Sequence, residues 1–368
     1  MGSSVRFKDT ASQELSSTAE PMSHLYRSSS IRKLSLLVLL LVLLLLVTGA
    51  AIMKGSANVP AGELFAMITG GATDEMNVYI VREVRLPRIV MAVVSGIALA
   101  SAGAIMQALL RNPLADPFTL GVSSGASFGA ALAIVAGASA FGINLAHSNQ
   151  WLIAFNAFVF GCLAVGIVYG VSRMKSSSTT VLLLAGVAIG QLFSAGVSAL
   201  KYFSNNEALK DLTIWLMGGF WGAKWEVLYF LLPLLAVSLV VLMRYAWNLN
   251  ALVSGEEVAQ TLGVKVKRMR LICLLVVTLI ASTTIAFTGI IGFIGLVAPH
   301  ISRMLIGTDY RYLLPCSWLI GALLLLLSDT AARLVLSPIE IPVGIVTSFF
   351  GAPFFVYLLI KKSKEYWT

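Results

Sequence analysis

The chain has 368 residues, 58% of them hydrophobic and only 12% charged. A soluble domain carries about 25% charged residues, so this surface needs lipid to cover it. A net charge of +9 would point to nucleic acid in a soluble protein; here it reads as the excess of Lys and Arg that membrane proteins keep on the cytoplasmic side, and nucleic acid is excluded as a partner.

Residues 1–30 are polar and rich in Ser, and are expected to form a disordered cytoplasmic tail. Ten apolar runs follow, at 31–53, 88–110, 118–141, 151–172, 180–200, 226–247, 271–291, 292–307, 312–335 and 342–361. Runs near 20 residues suit membrane helices, whereas a β-barrel would show alternating segments of about 10. The first run follows Arg32 and Lys33 as a signal peptide would, but it is longer than a usual signal core, so a retained helix is expected. The eighth is short and broken by Gly and Pro, which lipid tolerates only where protein or water satisfies the backbone.

With the N-terminus inside, 18 of the 26 Lys and Arg residues fall on the cytoplasmic side. Both termini, including the short tail 363–368, are therefore expected there. Runs 2–5 and 7–10 each open on a basic segment and carry a Gly-rich helix broken by Pro, a weak repeat whose copies would be inverted, as in many transporters. The expected class is an all-α polytopic membrane protein with one ten-helix domain over 31–362.

Arg85 and Arg88 flank Leu86-Pro87 before the second run, and Arg333 lies near the same end of the ninth. Three arginines on the less basic side fit either snorkelling to lipid phosphate or an acidic partner, since Arg pairs bidentately with carboxylates. Pro113 and Pro117 stop the second helix. The small residues that follow, from Gly121 to Ser127, allow close helix approach, and no GxxxxGK[ST] phosphate loop is present.

The longest polar break on the cytoplasmic side contains a docking candidate at 252–268. Glu256, Glu257, Val258, Ala259 and Leu262 fit two helical turns between Gly255 and Gly263, with Val258 and Leu262 on one face and Ala259 beside them. This is a docking helix for a soluble partner or a helix lying on headgroups. Pro299 is expected to break the eighth helix, with the His300 ring supporting the freed backbone. Asp329 lies four residues before Arg333, the spacing of an intrahelical ion pair.

Cys162, Cys273 and Cys316 lie in apolar runs with no CxxC or His pair, so they read as packing residues; no metal site and no cofactor is expected. No paired carboxylates, His/Cys cluster or GxSxG motif accompanies them, and enzyme activity is not expected of this chain.

Several stretches together resemble the permease subunits of type II ABC importers, which move iron–siderophores, haem and cobalamin. They are RLPR (Arg85–Arg88), GAIMQALLRNPLADP (Gly103–Pro117), LGVSSGAS, WLMGGFWG (Trp215–Gly222), GFIGLVAPHISR (Gly292–Arg303) and PVGIVTSFFGAPFF (Pro342–Phe355). The likeness runs in order over about 31–362. It implies a second permease subunit, identical or paralogous, two cytoplasmic ATPases and an extracytoplasmic substrate-binding protein, in a bacterial cytoplasmic membrane. It also implies that Arg85, Arg88 and Arg333 meet glutamates of the binding protein, that Gly255 to Gly263 couples to the ATPases, and that an iron(III)-siderophore, haem or cobalamin is carried by alternating access. An ion-coupled secondary transporter, the competing class, would carry buried carboxylates, of which only Asp329 qualifies. A membrane anchor without transport is the third class.

Overall fold

The computed structural model describes residues 6–55, 59–71, 73–137, 150–174 and 179–362, with two compact units at residues 1–43 and 44–368. The first unit holds most of helix α1 (Arg6–Met53), whose Ile31, Leu34, Val38 and Leu39 are exposed. A helix apolar on several faces is covered by lipid or by other protein rather than by water. The helix starts at Arg6, within the segment read from the sequence as a tail; once nucleated by the apolar run, a helix propagates at little cost per residue. Residues 1–5 and 363–368 lie outside the described residues, as do 138–141 of the third predicted run.

In the second unit the short helices α2 (Ala61–Thr69) and α3 (Glu75–Tyr79) lead into a π-helical turn, Ile80–Arg85, and then α4 (Leu86–Leu110). A 3₁₀ turn, Pro117–Leu120, precedes α5 (Val122–Ala136), followed by α6 (Gln150–Met174), α7 (Thr179–Phe203), α8 (Asn206–Met217) and α9 (Trp225–Arg244). Next come α10 (Ala246–Val253), α11 (Glu256–Thr261), α12 (Val266–Thr288), α13 (Ile294–Ile306), α14 (Tyr310–Leu334) and α15 (Val343–Lys362). Among the described residues seven helices are long and apolar enough to cross a membrane, and three apolar helices, in α5, α13 and α15, are shorter. These ten correspond to the ten predicted runs. A helix of 15 residues reaches only about 22 Å, less than the hydrocarbon thickness, so α5 and α13 need protein at their ends.

Helix α4 is the centre of the unit. Almost every residue from Val94 to Leu110 is buried, and α4 packs against α9, α10, α12, α13 and α14. Its sequence explains this: Gly96, Ala100, Gly103 and Ala104 give it a smooth side, and small residues let helices touch backbone to backbone. A Cβ on Gly96 would collide with the carbonyl of Gly321 in α14, and one on Gly103 with the carbonyl of Gly295 in α13.

The repeat is visible as order and length. Long α4, short α5 and long α6 and α7 are matched by long α12, short α13 and then α14 and α15, with α5 packed on α6 and α7 as α13 is on α14 and α15.

Helix α13 differs from the sequence expectation. It runs unbroken through Pro299 and His300, and the interruption lies earlier, between Thr288 and Ile294. Gly289 and Phe293 there have φ of 68° and 69°. Positive φ is easy for Gly and strained for a bulky residue such as Phe. Proline cannot donate to the carbonyl four residues back; that carbonyl, Gly295 O, instead accepts from Gln107 Nε2 of α4 at 3.3 Å. A neighbouring helix therefore supplies the bond that Pro299 removes, a part the sequence reading gave to His300.

Candidate functional site

Two polar constellations occupy opposite ends of the α4–α14 pair. The first lies where α4 begins and α14 ends. The π-helical turn delivers Arg85 as the residue before α4, and Pro87 sits in the first turn, where its missing N–H costs nothing. Arg85 Nη1 donates to the carbonyls of Ile52 and Met53 at 2.5 and 3.2 Å, and Arg333 Nη1 to that of Lys54 at 3.4 Å. The last carbonyls of a helix lack intrahelical donors and carry partial negative charge, so two arginines cap the end of α1.

Asp329 joins the other members. Its Oδ1 accepts from Arg88 Nε at 2.8 Å and its Oδ2 from Arg333 Nε at 3.0 Å, while Arg88 Nη1 donates to Glu340 Oε2 at 2.8 Å. The Asp329–Arg333 ion pair is thus present and extended to α4 and to the segment after α14. Asp329 is wholly buried, Arg85 5% and Arg333 6% exposed, and Glu340 about one third exposed. Arg85, Arg88 and Arg333 all bind groups of this chain here. Exposed cations at this end include Lys54, Lys224 and Arg82, the last beside Glu83 at 3.7 Å.

The second constellation lies where α4 stops and α14 starts. Helix α4 ends at Leu110, with Arg111 in the left-handed region and Pro113 and Pro117 in the turn that follows. Asp116 caps the 3₁₀ turn by accepting from Thr119 N at 3.0 Å, and burial pushes its carboxyl up to about 6. Arg303 of α13 donates to Gln107 Oε1 of α4. Asp309 caps α14 by accepting from Arg311 N, pairs with the Arg311 guanidinium at 2.5 Å, and accepts from Asn250 Nδ2 of α10 at 2.8 Å. Burial alone would raise the Asp309 carboxyl; the hydrogen bonds from Arg311 and Asn250 outweigh it and hold the group at about 2.

Beyond α10, the coupling candidate forms the helix α11, with Gly255 and Gly263 at φ of 139° and 81° on either side. Glu256 pairs with Arg270 of α12 at 3.2 Å, which ties the helix to the bundle. Ala259 is completely buried, while Val258 and Leu262 are exposed. The exposed apolar face is therefore Val258 and Leu262, with Glu257 also outward, and Ala259 belongs to the inner side instead of lying beside them on the presented face.

Sequence reasoning missed Gln107, Asn250, Asp309 and Glu340. Asp309 had a local signal, an acid immediately before an apolar helical run. Gln107 and Asn250 had none, because their partners lie 188 and 59 residues away.

Residues 39–361 match the model of the FecCD transport family. The hemin transport system permease protein HmuU of Yersinia pestis is 40% identical over 87% of this chain and 95% of its own length. The Fe(3+)-citrate import system permease protein YfmE of Bacillus subtilis is 37% identical over 78% and 84%. A solved inward-facing structure assigned to the metal-chelate type of ABC transporter superposes with a TM-score of 0.78, at 34% identity, over 89% of this chain and 99% of that one.

Proposed function

Because this chain belongs to the FecCD transport family, a family of membrane permeases, we propose that it is the membrane-spanning subunit that carries an iron(III)-siderophore chelate across a bacterial cytoplasmic membrane by alternating access. In this reading a second permease subunit completes the path, two ATPases dock on α11 from the cytoplasm, and a binding protein delivers the chelate at the end carrying Arg88. The termini are cytoplasmic. ATP hydrolysis belongs to the partner subunits.

The single observation that carries the reading is the arrangement of α11. A two-turn helix held to the bundle by Glu256–Arg270 and by buried Ala259 presents Val258 and Leu262 to solvent, in a chain about 40% identical to a transport permease. Apolar side chains held outward on a fixed short helix suit insertion into a groove of a partner. At the other end, Glu340 is the exchangeable partner of Arg88, and carboxylates of the binding protein compete with it for the guanidinium.

The iron-chelate assignment draws on relatives named for hemin and for Fe(3+)-citrate. Haem is the second reading, favoured by the 40% identity to the hemin permease. The test uses vesicles holding the permease, its ATPases and its binding protein. ATP-dependent uptake of a ⁵⁵Fe(III)-hydroxamate siderophore, undiminished by excess hemin or cyanocobalamin, is the expected result. Uptake of hemin in its place would establish the second reading, and uptake that follows an ion gradient without the ATPases would overturn both.

A further inference from the structure

Helix α10 separates α9 from the coupling helix α11 and has its own grip on the bundle. It buries Ala246, Leu249 and Leu252 and packs on α4 and α14. Only Ser254 and Gly255 part it from α11, and both bond back into α10, Ser254 N to Asn250 O at 3.4 Å and Gly255 N to Leu252 O at 3.1 Å. Displacement of α11 therefore reaches α10 through a short, hydrogen-bonded joint.

The other side of α10 holds the first turn of α14. The Asn250 amide is used at both ends: Nδ2 donates to Asp309 Oδ1 at 2.8 Å, and Oδ1 accepts from Tyr310 N at 2.8 Å. The first amides of a helix have no partner of their own. Asp309 serves one of them, at Arg311, and Asn250 serves another from a different helix. One turn earlier on α10, Trp247 lies under the Arg311 guanidinium, 3.9 Å from its ring centre. Two residues three apart on α10 thus hold Asp309, Tyr310 and Arg311.

Helix α14 then runs about 36 Å, by its length, to the Asp329–Arg333 pair at the other end. Midway it crosses α4 in backbone contact at Gly96 and Gly321, where neither helix can yield without separating. A rod held at one end, fixed near its middle and ion-paired at its far end converts movement of one end into movement of the other.

We propose that Asn250 is a positioning residue that fastens the coupling segment to the first turn of α14, so that movement of α11 is delivered along α14 to the Arg88–Asp329–Glu340 cluster. The proposal rests on the reading that ATPases dock on α11. It assigns to a neutral amide on α10, outside that docking face, the transmission of the nucleotide signal.

The experiment uses the permease with its ATPases in proteoliposomes and a cysteine reporter at Leu336→Cys, an exposed position just past α14. Labelling by a membrane-impermeant maleimide is compared with and without ATP plus vanadate, against the parent lacking the reporter. The expected result is a nucleotide-dependent change in labelling rate that Asn250→Leu reduces about five-fold or more, the low end of allosteric coupling, while the ATPases still co-purify. Asp309→Ala added to Asn250→Leu should cost little beyond the larger single effect, because the two residues share one contact. Asn250→Ala serves the same test should leucine prevent folding.

A parent reporter that ignores nucleotide, an Asn250 variant that keeps more than about half the response, or effects of the two substitutions that simply multiply would each overturn the proposal. Failure of the docking reading is separable: Val258→Arg with Leu262→Arg would then leave the ATPases bound, whatever Asn250 does.

Discussion

The two ends of the α4–α14 pair are held by different chemistry. Where α4 begins, the contacts are between full charges removed from water: Asp329 bridges Arg88 and Arg333 and is itself wholly buried. Where α14 begins, a neutral amide, a helix cap and a stacked Arg311 share a partly exposed site around Asp309. Buried charge tolerates one arrangement and penalises every other, because removing a partner leaves the rest uncompensated. Amide and cap contacts are each worth about 1 kcal/mol and can be exchanged for water. The first end therefore suits a junction with a few discrete states, and the second suits a joint that moves with a partner.

The largest effect should come from Asp329→Asn, which leaves Arg88 and Arg333 side by side without their shared carboxylate. A loss of about 3 kcal/mol or more is expected, read as a fall in thermal unfolding temperature in detergent. Asn250→Leu, at the other end, should cost only about 1 kcal/mol. Equal losses would remove the distinction between the ends.

Gly103→Ala tests the neighbouring contact between α4 and α13. Its Cβ would meet the Gly295 carbonyl, a backbone group that cannot swing away, and overpacking of this kind costs about 1–3 kcal/mol. Gly292→Ala is the control, since nothing lies within 4 Å of its Cβ position. A harmless Gly103→Ala would mean that α4 and α13 can separate there.

Acid should separate the ends further. The Asp309 carboxyl is held at about 2, below its ordinary value of 3.8. A depressed folded value means that its contribution is complete above the ordinary value and is lost as pH falls through the window from about 4 to 2. Asp309→Asn should flatten unfolding temperature across that window. A slope that persists in the variant would assign the acid sensitivity to other carboxylates.

Much of this architecture is legible in the sequence because a membrane helix must satisfy its backbone internally, so each one announces itself as an apolar run. The pair Asp329 and Arg333 is legible because both lie on one helix, four residues apart. The extension to Arg88 is not, since 241 residues separate it from Asp329. The same limit explains the three arginines. Charge counting places them at one end of the bundle, but cannot tell a side chain facing a partner from one turned onto the carbonyls of α1. Pro299 shows the converse: its local chemistry predicts a break, and Gln107 from another helix supplies the missing bond, so the helix continues.

A smaller effect on the protein itself is expected at α11. Val258→Arg with Leu262→Arg changes two exposed side chains and should shift stability by less than about 0.5 kcal/mol, yet abolish co-purification of the ATPases. Retained co-purification would remove α11 from the docking surface and leave the exposed apolar pair to lipid headgroups.

The smallest change, and the most informative about the first end, is Glu340→Gln. Glu340 is the outermost and most exposed member of the cluster, and Arg88 keeps Asp329 when the Glu340 charge is removed. The fold should therefore survive with little loss. If carboxylates of a binding protein compete for Arg88, the substitution removes their competitor and docking should tighten by a few-fold, about 1 kcal/mol. The gain should shrink as salt rises, because the competing groups are near the surface. Docking that weakens instead would show that Glu340 holds Arg88 in its receptive geometry. Unchanged docking would leave the exposed Lys54, Arg82 and Lys224 as the cations at this end that a partner meets.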